Sequence, residues 1–196
     1  MNRELLAQLE TLIQRDKETR NKLLEEDRLY GVYDEKMQNI HSENAIALNE
    51  IISIHGWPGV SIVGLEGSRA AWLIAQHAIC TPSLQRKFLE YISKAAASGD
   101  VPQKQVALLT DRIRFNEGKP QIYGTVLDWD EKGELTCELE NPEKVDELRE
   151  KVGLPPFHQS LQEHKAEVEA EGGKPPENYK AYKQAGSDWA RSVGWR

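Results

Sequence analysis

One titratable ring sits where a core helix would ordinarily carry hydrocarbon. The run Ala70-Ala71-Trp72-Leu73-Ile74-Ala75-Gln76-His77-Ala78-Ile79 is apolar almost all round except for the Gln76-His77 pair. An imidazole titrates near pH ~6.5 in its unperturbed state, so His77 is the candidate general acid or base. Asp111 is the candidate carboxylate to orient it. Arg112 offers a two-pronged clamp for a carboxylate or phosphate, and Gln76, Gln121, Tyr123, Thr125 and Trp57 are candidates to hold the neutral parts of a ligand. A pocket into which such groups converge is the default expectation for a site. The same residue types also build structural networks, so each reads equally as a group that holds the fold.

Other chemistries find less support. There is no HExxH, no histidine pair at i,i+4, and His41, His55, His158 and His164 lie in dissimilar settings. His77 with Glu66 and Asp111 is the nearest thing to a ligand set, and no metal site is expected. No motif names a cofactor. Ser61 and Ser68 lie near glycines without a GxSxG elbow. Gly64-Leu65-Glu66-Gly67-Ser68 opens a helix that could hold an anion, but it lacks the GK[ST] of a phosphate loop. Cys80 and Cys137 are the only cysteines and have no CxxC spacing, which fits two reduced thiols.

The elements that must position these groups are mostly helices. Leu5, Leu6, Leu9, Leu12, Ile13, Leu23 and Leu24 predict a long amphipathic helix over residues 3–27, with Asp16 and Arg20 four apart as an ion pair. Residues 28–41 read as irregular. A second helix is expected over 42–54, with Asn44 capping in its first turn and Gly56 ending it. Gly56, Pro58 and Gly59 make a tight turn into the central helix, for which Ser68 is the expected N-cap. Thr81-Pro82 opens a helix to about residue 97, and Pro102 another to about 116 that carries Asp111-Arg112. Alternation over 121–129 and 134–139, around Asp130-Glu131-Lys132-Gly133, predicts a β-hairpin. Asn141-Pro142 starts a further helix ending at Gly153. Residues 159–174 are mostly charged, Gly172 to Pro176 reads as a linker-like break, and Tyr179, Tyr182, Trp189, Val193 and Trp195 give the tail enough aromatic surface to dock on the body or on a partner.

The fold class is therefore mainly α (α+β): a multi-helix core over 1–157 with one small antiparallel hairpin at about 121–139, followed by a charged segment and aromatic C-terminal helix over 158–196. A net charge of −7 argues against nucleic-acid binding, which needs a basic face. No apolar run approaches the ~20 residues of a membrane helix, and MNRELLAQLE is charged from its start, so a cytoplasmic protein is expected.

Several spaced motifs resemble an uncharacterised bacterial family, one of the domains of unknown function. They are His55-Gly56-Trp57-Pro58, Ala71-Trp72 with Gln76-His77-Ala78, Leu109-Thr110-Asp111-Arg112 and Gln121-Ile122-Tyr123-Gly124-Thr125, joined by Asp16, Arg20, Asn44 and Val145-Asp146-Glu147-Leu148-Arg149. The resemblance spans about residues 5–160 and implies no activity. It departs at Val126, where the family usually has glutamine. Two readings stand: a small-molecule enzyme, hydrolytic or isomerase-like, using His77 as acid/base, or a non-catalytic ligand-binding or interaction module whose polar residues are structural. In the second, the aromatic tail contacts a protein partner or a second copy.

Overall fold

Helix α1 (Arg3–Glu25) forms because Leu5, Leu9, Ile13 and Leu23 recur at helical spacing and bury one stripe, with Asn2 accepting the Leu5 N–H at its start. Asp16 lies on that same buried stripe. The computed structural model describes residues 1–26, 28 and 33–196. Part of the segment expected to be irregular, 28–41, lies outside the described residues. Residues 35–41 are helix: α2 (Glu35–His55) starts well before residue 42 because Asp34 caps it, accepting the Lys36 N–H at 2.9 Å. Its buried stripe is Met37, His41, Asn44, Ala45, Leu48, Ile51 and Ile52. Asn44 is thus mid-helix, where its amide donates to Leu12 O of α1 at 3.1 Å instead of capping.

Helix α3 (Val60–His77) begins at Gly59, not at Ser68, which is buried inside it. Gly64, at φ +72°, kinks the helix, and a Cβ on Gly67 would lie 3.0 Å from Leu6, so this glycine lets α3 pack closely on α1. A 3-10 turn (Ala78–Cys80) leads to α4 (Pro82–Ala97), which opens on its proline as expected. Buried Gln85 of α4 donates to Ala75 O and Gln76 O, securing the end of α3 beside His77. These elements, with the start of α5 (Gln103–Asn116), form one compact unit, Met1–Leu109.

The second unit is Thr110–Arg196. Its antiparallel pairing is confined to β1 (Asp128–Trp129) and β2 (Leu135–Thr136), with Asp128 opposite Thr136 and Trp129 opposite Leu135. Residues 121–127, expected as a strand, fold as a loop whose backbone turns toward a side chain described below. A 3-10 turn (Pro142–Lys144) leads into α6 (Val145–Lys151), and the charged segment after it is helix α7 (Phe157–Ala170), burying only Val168. Helix α8 (Tyr179–Ser192) is capped by Asn178. Trp195 is buried and Tyr182 bonds Asp128, so part of the aromatic tail docks within its own unit. The chain is mainly helical with one small antiparallel pair, and among the described residues no helix is long and apolar enough to cross a membrane.

Candidate functional site

Three helices of the first unit each deliver one polar group to the same point. Asp16 of α1, only 3% exposed, places Oδ2 at 2.6 Å from His77 Nδ1 at the end of α3 and 3.3 Å from His41 Nε2 of α2. The two imidazoles stand 5.0 Å apart between centroids, tilted by 37°. His41 is anchored from its other side, since Nδ1 shares a hydrogen bond with the Tyr33 hydroxyl. Burial alone would push the Asp16 carboxyl up. The hydrogen bonds from His41 and His77, with the positive charge these rings acquire on protonation, outweigh it and hold Asp16 well below the ordinary carboxylate range. His41 is buried, whereas the His77 side chain keeps 35% of its surface exposed, so His77 is the member of the set that solvent reaches.

Gln76 is buried beside it in sequence. Its amide donates to Leu108 O at 3.4 Å, and its Oε1 is buried without a protein partner, as is the indole N–H of Trp57. The Cys80 thiol is pushed up by burial, an effect only partly opposed by Tyr33 and Ser42.

In the second unit, Asp111 is fully buried and both of its oxygens serve the loop after α5. Oδ1 accepts from Ile122 N at 2.8 Å, and Oδ2 accepts from Tyr123 N at 3.1 Å, Thr125 N at 3.0 Å and Thr125 Oγ1 at 3.2 Å. Gln121 closes the same loop from inside: Oε1 accepts from Thr125 N and Val126 N, while Nε2 donates to Val126 O at 2.6 Å. Arg149, 2% exposed, donates to Tyr123 O, Pro155 O and Ser160 Oγ. Of the residues expected at a site, Asp111, Gln121 and Thr125 thus direct hydrogen bonds to the 121–126 segment. The Tyr123 phenol is raised by burial and by the Asp111 charge, so it stays protonated and can donate. A hollow of about 220 Å³ beside Trp129, Leu135 and Val168 is lined by none of the predicted site residues.

Gly124 completes the loop at φ +65°, where an added Cβ would lie 2.6 Å from the Phe157 ring and 2.9 Å from Leu139. Gly124→Ala should therefore destabilise the protein by about 2 kcal/mol, combining a left-handed backbone with overpacking. The midpoint of chemical denaturation measures this, and an unchanged midpoint would show that the loop is slack.

A family of unknown function, DUF6624, matches residues 3–168, from the start of α1 nearly to the end of α7. The chain belongs to that family. No curated protein and no solved structure matches it. The DUF6624 match takes in Asp16, His41, His77, Asp111 and the 121–126 loop, and leaves α8 outside.

Two members of the first-unit cluster escape a linear reading of this DUF6624 chain. Asp16 passes as half of a surface ion pair with Arg20, yet it stands three residues after Ile13 on the buried stripe. His41 falls in a stretch that reads as irregular, yet it follows Met37 by four and precedes Leu48 by seven, the spacing of the α2 stripe. The carboxylate bonded to His77 is Asp16; Asp111, the one expected from sequence, belongs to the second unit and is committed to its loop.

Proposed function

We propose that the first unit carries an acid–base centre acting on a bound small molecule, with His77 as the proton-exchanging group and Asp16 as the carboxylate that orients it. The 2.6 Å contact between Asp16 Oδ2 and His77 Nδ1 carries this reading. An ionised Asp16 fixes the tautomer with the proton on Nδ1 and leaves the lone pair on Nε2. A substrate X–H proton passes to Nε2, Asp16 stabilises the resulting imidazolium, and the proton is returned to a leaving group or to a neighbouring atom of the substrate. The reaction is hydrolysis or an isomerase-like proton transfer. Gln76 Oε1 and the Trp57 N–H are among the buried polar atoms of the first unit without a protein partner, and they are the candidates there to hold a ligand.

For the second unit the scaffolding reading is the stronger one. Asp111, Gln121 and Thr125 spend their hydrogen bonds on the 121–126 backbone, as a structural network does.

The test is a panel of ester, amide and phosphoester substrates and enolisable carbonyl compounds, run with the full chain and with His77→Gln. Loss of a proton-transferring group lowers turnover by about 100-fold to 10,000-fold. A His77→Gln protein with an unchanged circular dichroism spectrum and undiminished turnover of whatever the wild type converts would remove the proposal.

A further inference from the structure

The groups that meet in the first unit also form a ligand set of a kind no linear motif announces. We propose that Asp16, His41 and His77 bind one divalent first-row transition ion of the Zn²⁺ type. Their donor atoms all lie within 4.8 Å of one another. Such ions sit about 2.0–2.2 Å from nitrogen and oxygen ligands, which places tetrahedral donors about 3.4 Å apart. Asp16 Oδ2 and His41 Nε2, at 3.3 Å, already have that spacing. Asp16 Oδ2 and His77 Nδ1, at 2.6 Å, must open by less than about 1 Å to reach it. His77 can give way at its side chain, which is partly exposed.

Three further features favour an ion here. The donors come from three different helices, so packing of α1, α2 and α3 fixes their separation. His41 is held at Nδ1 by the Tyr33 hydroxyl, the outer hydrogen bond that metal-bound imidazoles usually carry. A hydroxyl both donates and accepts, so Tyr33 can hold the tautomer that presents a lone pair on Nε2. Finally, the buried Asp16 carboxylate supplies a negative charge that a dication complements. Two imidazoles and one carboxylate suit Zn²⁺, Fe²⁺, Co²⁺ or Ni²⁺ over Mg²⁺ or Ca²⁺. Three protein ligands leave a fourth position for water or a substrate atom.

This inference does not rest on the acid–base reading. With an ion bound, His77 Nδ1 serves the ion instead of Asp16. The two readings part at His41, a ligand in one and no proton-transfer group in the other. The experiment uses the full chain stripped with a chelator, then titrated with Zn²⁺ against a chromophoric competitor and, separately, with Co²⁺ followed by its visible absorption. The expected result is one Zn²⁺ per chain, a raised unfolding temperature, no comparable effect of Mg²⁺, and a Co²⁺ spectrum of low coordination number. His41→Ala and His77→Ala should each weaken Zn²⁺ binding by more than the roughly 10–100-fold that loss of an outer hydrogen-bond partner costs, while His158→Ala in α7 leaves it unchanged. If His41→Ala does not fold, the partly exposed His77 carries the same test. Absence of stoichiometric binding, or Zn²⁺ affinity equal in wild type and both variants, overturns the proposal. Turnover by the stripped wild-type protein is read in parallel, so the acid–base reading stands or falls on a separate measurement.

Discussion

Asp111→Ala is expected to destabilise the protein by about 3 kcal/mol. The carboxylate accepts from three backbone N–H groups and one hydroxyl while itself fully buried. Thr125 N keeps a second acceptor in Gln121 Oε1 at 3.0 Å, so the alanine strands two N–H groups, those of Ile122 and Tyr123. Each buried orphan costs about 1–3 kcal/mol, and the loss is moderated because a charge no longer has to be desolvated. Asparagine does not rescue, since one of its two terminal atoms is itself a donor facing donors. Chemical denaturation gives the free-energy change, and amide exchange locates it: protection at Ile122 and Tyr123 should collapse while that of α1 and α2 is kept. Unaltered protection at those two amides would mean that the loop is held by Gln121 and Arg149 without Asp111.

The helices were largely legible because their cores obey one period. α1, α4 and α5 fall within two residues of where their apolar spacing and Pro or Gly punctuation put them. The differences at α2 and at the 121–129 strand share a cause, which is that a polar residue takes a structural position usually held by a core residue. α2 begins earlier than its sequence suggests, because Asp34 and His41 look like loop residues although one caps the helix and the other is on its buried stripe. The strand expected over 121–129 alternates correctly, but over 122–125 Asp111 competes for its backbone donors and wins, since a charged acceptor makes stronger bonds than a carbonyl across a short hairpin. Charged α7 has hardly any apolar stripe to display. The candidate site was half legible. His77 was evident as an anomaly in a hydrocarbon helix, whereas its partners lie 61 residues away at Asp16 and, at His41, on another helix, a convergence created only by packing α1 and α2 against α3.

Asp16→Asn should cost the first unit about 2 kcal/mol at neutral pH, and the cost should fade in acid. The amide keeps one acceptor for His77 but loses the charge, and a hydrogen bond to a charged group contributes about 1.5–3 kcal/mol. The sign of the pH dependence follows from the direction of the shift. In the folded state the Asp16 carboxyl is depressed below its unfolded value, because His41 and His77 outweigh the effect of burial. Its contribution is therefore complete above the unfolded value of about 4 and is withdrawn as the pH falls below that toward the folded one. Wild type and Asp16→Asn, unfolded in denaturant at a series of pH values, should differ most near neutrality and converge progressively below about pH 4. The groups facing Asp16 are His77, His41 and, through His41, Tyr33, so the comparison must be made at each pH and not against a single reference. A gap between the two proteins that stayed constant down to pH 2 would show that Asp16 is not held in its charged form by the two imidazoles, and with that the electrostatic basis of the first-unit site would be lost.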